Sequence, residues 1–192
     1  MIGLYTVNIG GFKIGVHFSF LALVSLITLL NGEFRIKLYI CLGCCILHEL
    51  GHLTAMAALG VRPRALVFYG GGILIKKPPG SFTSSLSECV ILLSGPAANA
   101  MTAIISAVFG CKSVVGYSVF CAVFNLLPFS YFDGWRVLDI LLPSCRVQFI
   151  IRQLLIIILF LLVIFVSFCS GLNISLVITF VYIVFCEISA LQ

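Results

Sequence analysis

The stretch His48-Glu49-Leu50-Gly51-His52 decides the reading of this chain. It has the form H-E-x-x-H and lies in an apolar run from Leu38 to Val61 whose only acid or base besides the two histidines is Glu49. Two histidines at i and i+4 fall on one face of a helix, so both imidazoles can reach one metal ion. The glutamate between them can serve as general base on a water that the ion activates. In a water-soluble protein such a helix keeps a wet face. Here the flanks are Leu42, Ile46, Leu47, Leu53 and the run Ala55 to Leu59. The motif is therefore predicted to sit in a membrane-spanning helix, where ionisable groups are costly and point to function.

Composition agrees. The 192 residues are 62% hydrophobic and 9% charged, against about 25% charge in a soluble domain. The mean hydropathy is +1.27. The length suits one domain, 1–192, with a catalytic core of about 38–136. The net charge of +5 does not indicate nucleic acid, because no basic cluster is interleaved with aromatics. It reads as membrane topology instead. The start of the chain does not read as a cleaved signal peptide, since no Ala-x-Ala-like site closes the run from Gly15 to Leu30. Nearly all nine cysteines lie in or beside apolar runs. That argues against an extracellular disulfide framework, and buried free cysteine behaves as a small hydrophobe.

The expected fold class is an all-α polytopic membrane protein of about six transmembrane helices, at roughly 15–30, 38–60, 86–110, 114–132, 153–170 and 173–190. The breaks are Asn31 to Lys37, Arg62-Pro63-Arg64, Gly80 to Ser87, Cys111-Lys112-Ser113, a longer mixed connection from Asp133 to Gln153, and Ser170 to Asn173. With both termini in the cytoplasm, the inner side holds Lys13, Arg62, Arg64, Lys76, Lys77, Arg136, Arg146 and Arg152. The outer side holds Arg35, Lys37 and Lys112. Eight cations against three fit the positive-inside rule.

The segment Ala65 to Pro79 is neither a span nor an ordinary loop. Two short apolar runs flank Gly70-Gly71-Gly72 in a hairpin-like pattern that is too short to cross. It is expected to form a small re-entrant or interfacial β-hairpin whose free edge can pair with an extended substrate segment. The plainer alternative is an amphipathic interfacial loop.

A catalytic zinc takes three protein ligands and keeps a position for water. His48 and His52 supply two. Among the remaining acids, Asp133 stands out, because it ends the fourth apolar run in Asn125-Leu126-Leu127-Pro128-Phe129-Ser130-Tyr131-Phe132-Asp133-Gly134. Pro128 breaks a helix and Gly134 permits an unusual turn. Cys41, Cys44 and Cys45 share the helix of His48, and a site of Cys45, His48 and His52 is geometrically open. It would leave Glu49 and Asp133 unexplained. His17 reads as an interfacial histidine.

Three motifs together resemble the site-2 protease family of intramembrane metalloproteases, especially its short bacterial branch, which includes stage IV sporulation protein FB. They are His48-Glu49-Leu50-Gly51-His52, Ser94-Gly95-Pro96-Ala97-Ala98-Asn99, and Asn125-Leu126-Leu127-Pro128 leading to Asp133-Gly134. They fall in order, each in an apolar run. Trp135 departs from the family's pattern, standing where a glycine is usual. The resemblance implies a zinc ligand at Asp133, a general base at Glu49, and hydrolysis of a membrane-anchored protein substrate within or near the bilayer. It implies that Asn99 and Asn125 hold substrate or the developing oxyanion. Gly70, Gly71 and Gly72 join them as expected substrate-binding positions. It places the protein in the cell membrane, with a regulatory membrane partner as a further candidate. No appended nucleotide-sensing domain or PDZ domain is evident.

Two rivals come from other classes. A metal-transporting membrane protein would need more than one polar span and no general base. An inactive relative acting as a membrane chaperone would not need intact Glu49 and Asp133.

Overall fold

The structure, a computed structural model, describes residues 5–9, 12–69, 72–76, 84–130, 132–142 and 144–170, with 174, 178, 180–182 and 184–185 beyond them. It divides into two compact units, Met1–Phe124 and Asn125–Gln192.

The first unit begins with strands rather than a span. β1 (Tyr5–Ile9) and β2 (Phe12–Val16) pair antiparallel, Tyr5 opposite Val16. β2 then runs parallel to β3 (Ala65–Tyr69), and β3 pairs antiparallel with β4 (Gly72–Lys76). The expected hairpin is thus half of a four-stranded sheet ordered β1-β2-β3-β4. Tyr69 faces Gly72 across the end of the hairpin. Gly72 has φ +134°, a backbone region that side chains rarely enter. Gly70 and Gly71 lie outside the described residues.

α1 (Phe18–Leu29) follows β2 directly, with His17 as N-cap: its Nδ1 accepts the Ser19 N–H at 3.3 Å. At 12 residues α1 reaches about 18 Å, short of a hydrocarbon core of about 30 Å. The apolar run from Gly15 therefore holds a strand end and a short helix.

α2 (Gly32–Ala58) has 27 residues and starts earlier than the polar stretch Asn31 to Lys37 suggests. Glu33 and Lys37 lie one turn apart on its surface, 3.9 Å between charged atoms. Gly60, at φ +69°, ends it, and the Val61 N–H returns to the Met56 carbonyl at 2.8 Å in a left-handed cap. α3 (Ser85–Val108) opens on Ser84, whose hydroxyl accepts the Ser87 N–H, and carries Pro96 inside it. α4 (Lys112–Asn125) has 14 residues and stops well before 132. α2 packs on α3 around Cys44, Met56, Ile91, Leu92 and Ala103, all buried.

In the second unit the mixed connection is itself helical. α5 (Asp133–Leu141) is followed by α6 (Cys145–Ser170), which begins eight residues before the expected span at 153. The Gln148 amide donates to Asp139 and to the Leu142 carbonyl, both at 2.7 Å, tying the start of α6 to α5. The Arg152 guanidinium lies over the Trp135 ring, 4.4 Å from its centroid. The span expected at 173–190 falls largely outside the described residues.

Among the described residues three helical stretches are long and apolar enough to cross a membrane: Gly32–Ala58, Ser85–Val108 and Arg146–Ser167. Their outward faces are apolar too. Met101, Ile104, Ile105 and Val108 are exposed on α3, and Leu154, Ile158, Leu161 and Phe165 on α6. Water would not tolerate so much contiguous hydrocarbon, so lipid is the solvent for these faces. The chain is a membrane protein.

Candidate metal centre

The buried face of α2 carries Cys44, His48, Gly51, His52 and Met56. Helical spacing puts these five on one buried stripe and turns Leu47 and Leu50 outward. His48 and His52 are 4% and 7% exposed, and their rings meet edge to face with centroids 4.7 Å apart. Their Nε2 atoms lie 3.1 Å apart. Two nitrogens bound to one tetrahedral zinc, each at about 2.0–2.1 Å, sit roughly 3.3 Å from each other. The observed spacing is that of a pair converging on one ion.

α3 supplies what holds the rings there. The Nδ1–H of His52 donates to the Ile91 carbonyl at 2.7 Å. That leaves its Nε2 with a lone pair facing His48. The Nδ1 of His48 is 3.3 Å from the amide of Asn99, a residue with no exposed surface. As placed, the amide nitrogen faces the ring, and Oδ1 is buried without a partner. Turning the amide over would let Oδ1 accept an Nδ1–H and free the His48 Nε2 lone pair. Two unprotonated Nε2 atoms at this distance repel unless a cation lies between them. With the amide so turned, each ring has an acceptor behind its Nδ1 and an Nε2 lone pair in front, the arrangement that two histidine ligands of one ion require. By this test the residues fit a divalent ion.

Gly95 completes the pocket. A Cβ there would sit 2.5 Å from the His52 Nε2 and 2.7 Å from the His48 Nε2. Ile91, Gly95 and Asn99 are spaced at i, i+4 and i+8, so one stripe of α3 carries the carbonyl, the gap and the amide. Gly51 answers from α2, since a Cβ there would overlap the Ser94 carbonyl and crowd Ala98 at 2.8 Å. Small residues let the two backbones approach closely. Glu49 is half-buried, one residue past His48 and so about 100° around the helix.

The expected site residues thus sort by position. His48, His52 and Asn99 come together in the first unit. Asn99 has no exposed surface, and its amide lies against His48. In the second unit Asn125 is the last residue of α4 and Asp133 the first of α5, both half-buried. Pro128 follows the end of α4 and so sits outside any helix. The connection is tight: the Phe129 N–H donates to Leu127 and the Phe132 N–H to Phe129, each at 2.9 Å. A Cβ on Gly134 would overlap the Leu126 carbonyl. Only glycine lets the first turn of α5 close on this connection. Gly95 was legible in the sequence as a packing position and Ile91 was not, because its contribution is a backbone oxygen.

Among the described residues β4 is an edge strand of the sheet. The carbonyls of Arg64 and Phe68 accept the N–H groups of Lys13 and His17, so alternate residues of β3 face β2. Ala65, Val67 and Tyr69 then face β4, opposite Lys76, Leu74 and Gly72. The N–H and C=O groups of Ile73 and Ile75 consequently point away from the sheet.

No known family profile matches the sequence, and no curated protein matches it. Among solved structures, the Site-2 Protease from Methanocaldococcus jannaschii is similar, with a TM-score of 0.63 and 20% identity over 96% of this chain and 94% of that one. The two share a fold.

Proposed function

We propose that the protein is an intramembrane zinc endopeptidase of the site-2 type, with His48, His52 and Asp133 as metal ligands and Glu49 as general base. The observation that carries this reading is the buried imidazole pair, Nε2 atoms 3.1 Å apart, on a helix of 27 residues that is apolar enough to span a membrane. Three ionisable groups within one helical turn of an apolar span have a steep desolvation cost unless they act together. The fold shared with a site-2 protease supports the same reading.

Bound zinc would supply a water with pKa near 7 and a Lewis acid for the scissile carbonyl. The chain does the rest. Ile91 and Asn99 hold the imidazoles in the tautomer that ligation requires. Glu49 takes the proton from the water and passes it to the nitrogen of the leaving amine. Asn125 is the candidate donor to the developing oxyanion. The open edge of β4 accepts an unwound substrate segment, whose peptide groups otherwise lack partners in lipid. The substrate is a membrane-anchored protein. Six spans with both termini cytoplasmic put Arg62, Arg64 and Lys76 at the inner interface with the sheet.

The test compares cells carrying the wild type with cells carrying Glu49→Gln. The expected result is a membrane-anchored protein that loses a soluble fragment in the variant, while the purified variant keeps its zinc. Equal fragment release in both cells overturns the proteolytic reading.

A further inference from the structure

Register sorts the side chains of the sheet onto two faces, because residues directly opposite each other share a face. Leu66, Phe68, Ile73 and Ile75 share one, and the Phe68 ring lies 5.4 Å from that of Phe20 on α1. The other carries Tyr69 opposite Gly72, Val67 opposite Leu74, and a row in which Ala65 separates Lys13 from Lys76. Tyr69 and Leu74 are 40% and 45% exposed, and both lysines are exposed. Neighbouring strands lie about 4.8 Å apart, so the two lysine backbones are roughly 10 Å apart. No Asp or Glu occurs from Met1 to Gly32 or from Leu53 to Ser87, the stretches that hold the four described strands. At the other end of β4 a Cβ on Gly72 would meet nothing within 4 Å. β4 thus runs from a gap beside an aromatic ring to a pair of cations, and the zinc chemistry uses neither.

We propose that this second face selects the substrate: the extended segment that pairs antiparallel with β4 carries a carboxylate opposite Lys76 and an aromatic side chain opposite Gly72. The inference rests on strand addition at β4, the substrate contact put forward above, and names the segment that contact would take. An antiparallel ladder is the more stable per residue. The N–H and C=O groups of Ile73 and Ile75 point to the incoming strand, so these two make its hydrogen-bonded pairs. Gly72, Leu74 and Lys76 then make the other pairs, in which opposing side chains come closest. Discrimination therefore falls on the face turned away from α1.

Each position asks for a different chemistry. A carboxylate opposite Lys76 forms a cross-strand ion pair, with Lys13 beyond Ala65 as a second cation, whereas a Lys or Arg there meets two like charges. Leu74 takes an apolar partner. Gly72 offers no side chain, so a ring opposite it can lean across the strand onto Tyr69, as aromatic residues do over edge glycines. Opposite Ile73 and Ile75, on the face of Phe68, the requirement is apolarity alone. From N- to C-terminus the segment reads acidic, apolar, apolar, apolar, aromatic.

The experiment co-expresses the full chain with a library of single-span reporters in which five consecutive residues at either end of the span are randomised. Sequencing the cleaved population gives the preference at each position. With the wild type, an acid followed four residues later by an aromatic should be enriched at least about threefold, the scale of a cross-strand pair. Lys76→Glu should switch the acidic preference to Lys and Arg and keep the aromatic one, a reversal that a folding defect cannot produce. Tyr69→Ala should lose the aromatic preference and keep the acidic one. Cleavage that depends on Glu49 but shows neither preference, or an acidic preference unchanged in Lys76→Glu, overturns selection by β4 and leaves the protease reading standing. A Lys76→Glu variant that cleaves every member less, all to the same degree, assigns Lys76 to the lipid surface and overturns it too. If Glu49→Gln cleaves the library as the wild type does, the proteolytic reading falls and this inference with it.

Discussion

Asn99 and Gly95 act on the histidines in different ways, and substitution should separate them. Asn99 steers a ring from behind, so Asn99→Ala should leave a weaker site rather than none. Loss of such an outer partner lowers metal affinity about 10–100-fold. A zinc-chelator competition on purified protein checks this, and unchanged affinity would show that the amide only fills space. Gly95 is a steric matter. The backbone of α3 cannot move away from atoms 2.5–2.7 Å from a new Cβ without giving up its approach to α2. Gly95→Ala should therefore lose zinc outright, as measured by metal content, and lose it more completely than Asn99→Ala. Glu49→Gln belongs to a third class. It should keep zinc and lose cleavage by at least the ~10²-fold typical of general-base catalysis. Robust proteolysis by that variant counts against Glu49 as the base.

The sheet lends itself to a test at the level of one strand. Ile73 and Ile75 direct their N–H groups to the open edge, and Leu74 directs its own toward β3. Proline removes one donor wherever it is placed. At Ile73 or Ile75 the lost donor belongs to the proposed substrate contact. Cleavage should fall by about fivefold or more, since one hydrogen bond contributes about 1 kcal/mol, while zinc content and protein level hold. At Leu74 the lost donor belongs to the sheet, so the protein level itself should drop. A proline scan read by cleavage and by abundance should alternate between the two effects. If cleavage stays at the wild-type rate with proline at both Ile73 and Ile75, the edge takes no substrate.

The number of membrane crossings is a property of the whole chain. α2, α3 and α6 have the length, whereas α1 and α4, at 12 and 14 residues, reach only about 18 and 21 Å. Short helices can complete a crossing where irregular chain is shielded by protein or lines a polar cavity. On the expectation of six spans, the eight-to-three division of Lys and Arg favours cytoplasmic termini. Reporter fusions at Lys112 and after Gln192 should then report opposite sides of the membrane. Same-side results would remove a span, with α4 the first to reconsider.

The sequence alone marks the chain as a membrane protein and shows where a metal ion could be held. Hydropathy and the i, i+4 histidines are local properties, and lipid leaves few other reasons to keep three ionisable groups in one apolar turn. It also marked the β3–β4 hairpin through its glycines. β1 and β2 went unread because each is five residues long and β2 runs straight into an apolar helix. Their strand character depends on a parallel partner, β3, nearly fifty residues away in the chain. What Asn99 lies against was settled by helix packing. From spacing alone an asparagine in a span can serve a substrate, a neighbouring helix or a metal ligand. Packing α3 on α2 buried it completely, set its amide 3.3 Å from His48, and brought the Ile91 carbonyl to His52. Which polar groups meet across two helices depends on the depth and rotation of their packing, and no single helix encodes either.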